Sequence, residues 1–244
     1  MRLNDDALAR AVFFLSTTES RSKLYRLLQY SAKFSRWSLL QLWELDPKAS
    51  KHTESKSRQL QLQSKTRADW RYWIVASLSR AELVFGDARR LFRFLQFLEM
   101  ADLYRQVQEP MRAVRVLRRL RILCFFFFYL TENYVVLHTR VLGVSPREPR
   151  MRRLRRSCNG FWLLSILLAF PLDHMMHRGT LLSTAKKFLD LPVAYIGLSG
   201  VRVSDGLFGA LGLASAQIGV VSCWLDAMTK FQQQHSKRLA ADVA

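Results

Sequence analysis

The sequence predicts an all-α membrane protein, with amphipathic helices toward the N-terminus and a hydrophobic hairpin toward the C-terminus. Three observations predict it. Half of the 244 residues are hydrophobic, yet 38 Lys and Arg stand against 19 Asp and Glu, a formal net charge of +19. Such apolar content excludes a disordered chain, and so large a charge is unusual for an ordinary soluble domain. Second, the charge is lopsided: residues 1–158 carry 31 basic and 14 acidic side chains, whereas 159–244 carry 7 and 5. This divides the chain into a basic, cytosol-facing helical region, 1–158, and a membrane-embedded region, 159–244. Third, residues 206–225 are 20 uncharged positions between Asp205 and Asp226. As a helix they rise about 30 Å, the thickness of the hydrocarbon core.

The elements follow in order. Asn4 is placed to cap a helix over residues 5–15, with acids in its first turn. Ser16 and Glu19 then have capping-box spacing. Over residues 20–43, Leu24, Leu27, Leu28, Leu39 and Leu42 share one helical face, and Arg26, Gln29, Lys33 and Arg36 share the other. Two arrangements suit this pattern. The Leu face can insert in a membrane interface while Arg26, Lys33 and Arg36 meet anionic headgroups. Alternatively the helix packs on its neighbours with a solvated basic back. Residues 46–67 are rich in Lys, Ser and Gln and read as a mobile loop. Helix resumes near Thr66, and a longer one has Leu91, Phe94, Leu95 and Leu98 along one side until Pro110 ends or kinks it.

Arginines crowd at 112–121 and again at 147–156, on either side of an aromatic stretch, 122–143. Were that stretch to span, one cluster would have to cross the bilayer, so a non-spanning helix is expected. The hairpin enters near Gly160, turns through a loop around 178–187 and returns through 206–225, which leaves both termini in the cytosol. The return leg is rich in small residues. Gly206, Gly209, Gly212, Ala216 and Gly219 allow close approach of helix backbones in lipid.

Catalytic and metal motifs are not recognisable. His174 and His177 lack further ligands at a zinc spacing. The glycines at 206–212 lack both the Walker Lys and the dinucleotide spacing. Glu132 and Asn133 form a polar pair in an apolar stretch, suited to a functional site or to a hydrogen bond between packed helices. No enzyme activity and no cofactor is expected. Nucleic acid is not an expected partner either, because the aromatics lie in apolar runs. Three cysteines, Cys124, Cys158 and Cys223, do not make a disulfide framework. Asp5 and Asp6 stand where a secretory leader would be basic, and the C-terminal Ala-Asp-Val-Ala is not a Ser-Lys-Leu address.

Four ordered strings resemble one family, peroxin-11 (peroxisomal biogenesis factor 11), a group of peroxisomal membrane proteins. S-R-S-K-L-Y-R-L-L-Q-Y at 20–30 is similar to its opening, with Ser20 and Ser22 replacing the usual Gly and Asp. Ser79-Arg80 leads to Phe85-Gly86, with Ala81 departing from a basic position. Tyr129 to Asn133 places an acid before Asn, as relatives often do. D-L-P-V-A at 190–194, G-L-F-G-A-L-G-L-A-S-A-Q-I-G at 206–219 and Trp224 resemble its tail most specifically.

The resemblance implies a protein of the peroxisomal (or glycosomal) membrane that promotes elongation, proliferation and fission. It implies an N-terminal helix inserted in one leaflet, which residues 20–43 suit. It also implies a homo-oligomer, and dynamin-related fission machinery with its adaptors as partners. A pore-forming metabolite channel is the alternative, for which 206–225 offers few polar groups beyond Ser215 and Gln217.

Overall fold

The computed structural model describes residues 2–45, 69–177 and 179–243. The predicted loop at 46–67 lies outside them. The described residues form eight α-helices and no strand: α1 (Arg2–Ser16), α2 (Thr18–Leu42), α3 (Asp69–Phe92), α4 (Gln96–Gln106), α5 (Arg112–Val136), α6 (Pro149–Met176), α7 (Leu181–Ser199) and α8 (Asp205–Val243). A π-helical turn, Leu137–Val141, extends α5.

Local chemistry explains most boundaries. Thr17 caps α2 by accepting a hydrogen bond from the Ser20 amide at 3.2 Å. The cap is therefore one residue beyond the expected Ser16, whose hydroxyl instead donates to the Phe13 carbonyl at 2.7 Å. Asn4 lies inside α1 rather than ahead of it. Thr180 caps α7 in the same way as Thr17, accepting from the Ser183 amide at 3.1 Å. Pro149 opens α6, where a missing amide hydrogen costs nothing. Gly200, at φ 72°, ends α7 in the left-handed region that suits glycine. The long helix expected across 91–98 is broken. Residues 93–95 form a turn, and Leu95 takes φ 66° before α4 begins.

Six helices close a ring, each touching the next: α2, α3, α5, α6, α7, α8 and back to α2. Helix α4 packs outside α5, and α1 packs on α8 and α2. Phe13 against Phe231 and Phe14 against Trp224, with ring centroids 5.3 and 5.2 Å apart, fasten α1 to α8. Between the two apolar legs of the C-terminal region the chain adds α7, where the sequence reads as a loop from 178 to 187.

Two helical stretches are long and apolar enough to cross a membrane, Arg112–Val141 and Asp205–Gln234. The second contains the expected span at 206–225. The first covers 122–143 as far as Val141; its arginines argue against crossing, while its length and apolar content allow it.

The distribution of polarity is reversed relative to a water-soluble bundle. Among the described residues, 33 large apolar side chains are exposed, whereas 17 apolar side chains are buried. The largest side chains with almost no exposure are Met151 and Val75, followed by Ser20, Ser165 and Ser215. Small and hydroxyl-bearing residues at helix contacts, with apolar ones outside, are the arrangement that lipid favours.

Candidate functional site

Helix α2 organises the polar interior. Arg26 donates to Asp190 of α7 at 2.5 Å and to Ser215 of α8 at 3.2 Å. Ser215 and Lys186 also reach Asp190, each at 2.5 Å. Asp190 is 3 % exposed, and Arg26 is 9 %. Burial by itself raises the Asp190 carboxyl, but the adjacent Arg26 and Lys186 outweigh it and hold Asp190 down at about 2. Two to three turns further along, Lys33 and Arg36 both pair with Glu82 of α3 and with Asp205 of α8, at 3.0 to 3.2 Å.

This corrects the expectation that Arg26, Lys33 and Arg36 face lipid headgroups. All three point at the protein's own carboxylates. The physical reason lies outside α2. Glu82, Asp190 and Asp205 are distributed over three other helices, and α2 turns its cationic face toward them. Its Leu face is left outward: Leu28 and Leu42 are exposed, and Leu24, Leu27 and Leu39 are half-buried.

The small residues of α8 receive α2. A Cβ on Gly206 would collide with the Trp37 ring, and one on Gly212 with the Tyr30 ring. At Gly209 the backbones themselves approach, since a Cβ there would stand 3.2 Å from the Phe34 Cα. Ala216 is buried, and Gly219 faces Lys186 and Lys23 at ordinary contact distance. Ser20 and Cys223, 3.3 Å apart, complete this seam. The partner of the glycine-bearing face is thus the N-terminal amphipathic helix, a pairing that the spacing of the glycines does not specify.

Between α2, α3, α4, α5 and α6, with Lys186 of α7, lies a cavity of about 940 Å³. Nine Lys and Arg side chains line it against three Glu, an excess of six positive charges. Asp190 and Asp87, behind the wall, pair with four of these cations and leave a surplus. Arg93 pairs with Glu132. Arg89 has a neutral partner, Gln29, at 2.6 Å. Asn133, beside Glu132, is buried with neither side-chain atom hydrogen-bonded. Sequence reasoning missed this lumen. The available signal was the clustering of arginines at 89, 90 and 93, just before and at the turn that ends α3.

His174 and His177 end α6, and among the described residues no group of His, Cys, Asp or Glu is arranged to hold a metal ion.

An inward charge network, small-residue seams and an apolar exterior define the class: a helical membrane protein with its polar groups turned toward one another. The family model of peroxisomal biogenesis factor 11 (PEX11) matches residues 8–175, and the chain belongs to that family. The matched residues include α2 and the arginines of the lumen and stop before Asp190 and the glycines of α8. No curated protein and no solved structure matches the chain. Family membership carries peroxisome biogenesis as the process and the peroxisomal membrane as the location.

Proposed function

We propose that this protein elongates the peroxisomal membrane and promotes proliferation and fission, by inserting apolar helix faces into one leaflet and by self-association. The observation that carries the reading is the polarity of α2: Arg26, Lys33 and Arg36 pair with the protein's own carboxylates, and Leu28 and Leu42 are exposed. Trp70, Trp73, Leu83 and Val84 of α3 continue the apolar exterior. Apolar area placed in one leaflet expands that leaflet and favours curvature.

Attraction to anionic phospholipid then passes to cations that remain outside. Arg147, Arg150, Arg152 and Arg153 are exposed at and before the start of α6. Each such charge contributes about 1 kcal/mol near an anionic surface. Partners in this reading are a second copy of the chain and dynamin-related machinery with its adaptors, both termini being cytosolic.

The test reconstitutes the full chain with anionic liposomes and counts tubules by electron microscopy. Wild type should tubulate, and Leu28→Asn with Leu42→Asn should reduce tubules several-fold while the protein stays folded. Equal tubulation by the variant, or release of the native protein from membranes by carbonate, would overturn the reading.

One observation favours a second reading, a metabolite channel: a lumen rich in charged groups lies between α2, α3, α4, α5 and α6. Conductance across planar bilayers, reduced or altered in selectivity by lumen substitutions, would support it; an electrically silent preparation would dismiss it.

A further inference from the structure

The lumen holds more positive charge than the protein neutralises. Arg89 and Arg121 have no carboxylate within ion-pair distance among the described residues. Arg121 lies over the Phe125 ring at 5.5 Å, and Arg89 reaches only the Gln29 amide oxygen. Arg26, Arg89 and Arg93 each keep a buried Nε–H without a hydrogen-bond partner. Burial, and then the charges of Arg93 and Arg26, push the Arg89 guanidinium below its ordinary value. A buried charge of this kind is costly unless an opposite charge meets it.

The same cavity has an apolar side. Phe92, Phe94, Phe125, Phe128 and Met100 line it together with the arginines. A single inorganic anion would use a small part of about 940 Å³. Guanidinium forks match phosphate oxygens bidentately, and the aromatic wall suits an organic remainder.

We propose that the lumen binds a phosphate-bearing anion, with the Arg89 guanidinium as its principal ligand and the guanidinium groups of Arg93 and Arg26 beside it. Arg89 is the natural anchor because its present partner is neutral, whereas Arg93 and Arg26 are already shared with Glu132 and Asp190. Two sources offer this chemistry: a soluble phosphate compound, or the headgroup of an anionic lipid reached between the helices. The site requires neither tubulation nor conduction, so it stands apart from both readings above.

The experiment uses the full chain in uncharged detergent, with melting temperature and titration calorimetry as readouts. The probes are inorganic pyrophosphate and dihexanoyl phosphatidic acid. Dihexanoyl phosphatidylcholine and sodium chloride at matched ionic strength are the controls. At least one probe should raise the melting temperature where neither control does. Stabilisation by pyrophosphate identifies a soluble source, stabilisation by phosphatidic acid alone a lipid headgroup, and stabilisation by both recognition of the phosphate group itself. Arg89→Gln should weaken binding at least tenfold and, by removing surplus charge, raise the melting temperature without probe. Arg89→Lys should retain part of the affinity, and the exterior variant Arg147→Gln all of it. Failure of both probes, equal stabilisation by the controls, or undiminished affinity in Arg89→Gln would overturn the assignment.

Discussion

Arg26 and Asp190 stand 2.5 Å apart in the interior although 164 positions separate them in the chain. The pair ties the N-terminal amphipathic helix to α7, and through Ser215 to α8. Removing one partner of a buried pair leaves the other charge uncompensated, at a cost of about 3–5 kcal/mol. Asp190→Asn should therefore lower thermal stability in detergent severely. The double variant Arg26→Met with Asp190→Leu should recover a large part of the loss, because it removes both charges together. Circular dichroism melts of the wild type and the two variants check this; a mild Asp190→Asn phenotype would contradict the placement of the pair.

Acid should undo the same contact. The Asp190 carboxyl is held below its ordinary 3.8, at about 2, so its folded form binds a proton less readily than its unfolded form. The stabilisation is fully present above about pH 3.8 and is lost as pH falls through about 2. The amount is on the order of 2 kcal/mol. Denaturant titrations at stepped pH should show this loss in wild type and a smaller one in Asp190→Asn.

The α2–α8 seam should resist even a methyl group. Gly212→Ala places its Cβ against the Tyr30 ring, so helix or ring must shift. Overpacking of this kind costs about 1–3 kcal/mol. Combining Gly212→Ala with Tyr30→Leu should restore part of the stability, whereas Gly143→Ala would not gain from that change. Gly143 has open space around it but takes φ 69°, so the penalty there is conformational.

Charge on the exterior should govern the first encounter with a membrane. Reversing Arg152 and Arg153 to Glu should weaken binding to anionic vesicles more than tenfold, with stability nearly unchanged because both are exposed. Flotation assays at two salt concentrations would show it, and the defect should shrink as salt rises.

The helical class, the C-terminal apolar span and the close-packing role of small residues were legible because each is a property of a local string. Sidedness was not. The wheel of α2 separates leucines from cations correctly, but it does not reveal which face turns inward. That depends on Glu82, Asp190 and Asp205, which come from three other helices. The turn at 93–95 was equally hidden, since Leu91 to Leu98 keep helical spacing across it and no Gly or Pro marks the break. The lumen is a further step removed, because it exists only once α2, α3, α4, α5 and α6 are assembled.

The pairing of Arg26 with a carboxylate so far along the chain has a consequence for manufacture. A ribosome adding roughly 5–20 residues per second needs about ten to thirty seconds to travel from one codon to the other. Throughout that interval Arg26 of α2 lacks its carboxylate partner, and hydrocarbon is a hostile place for it. The burial of Arg26 against its counter-charge is therefore completed only once the last quarter of the polypeptide has been made.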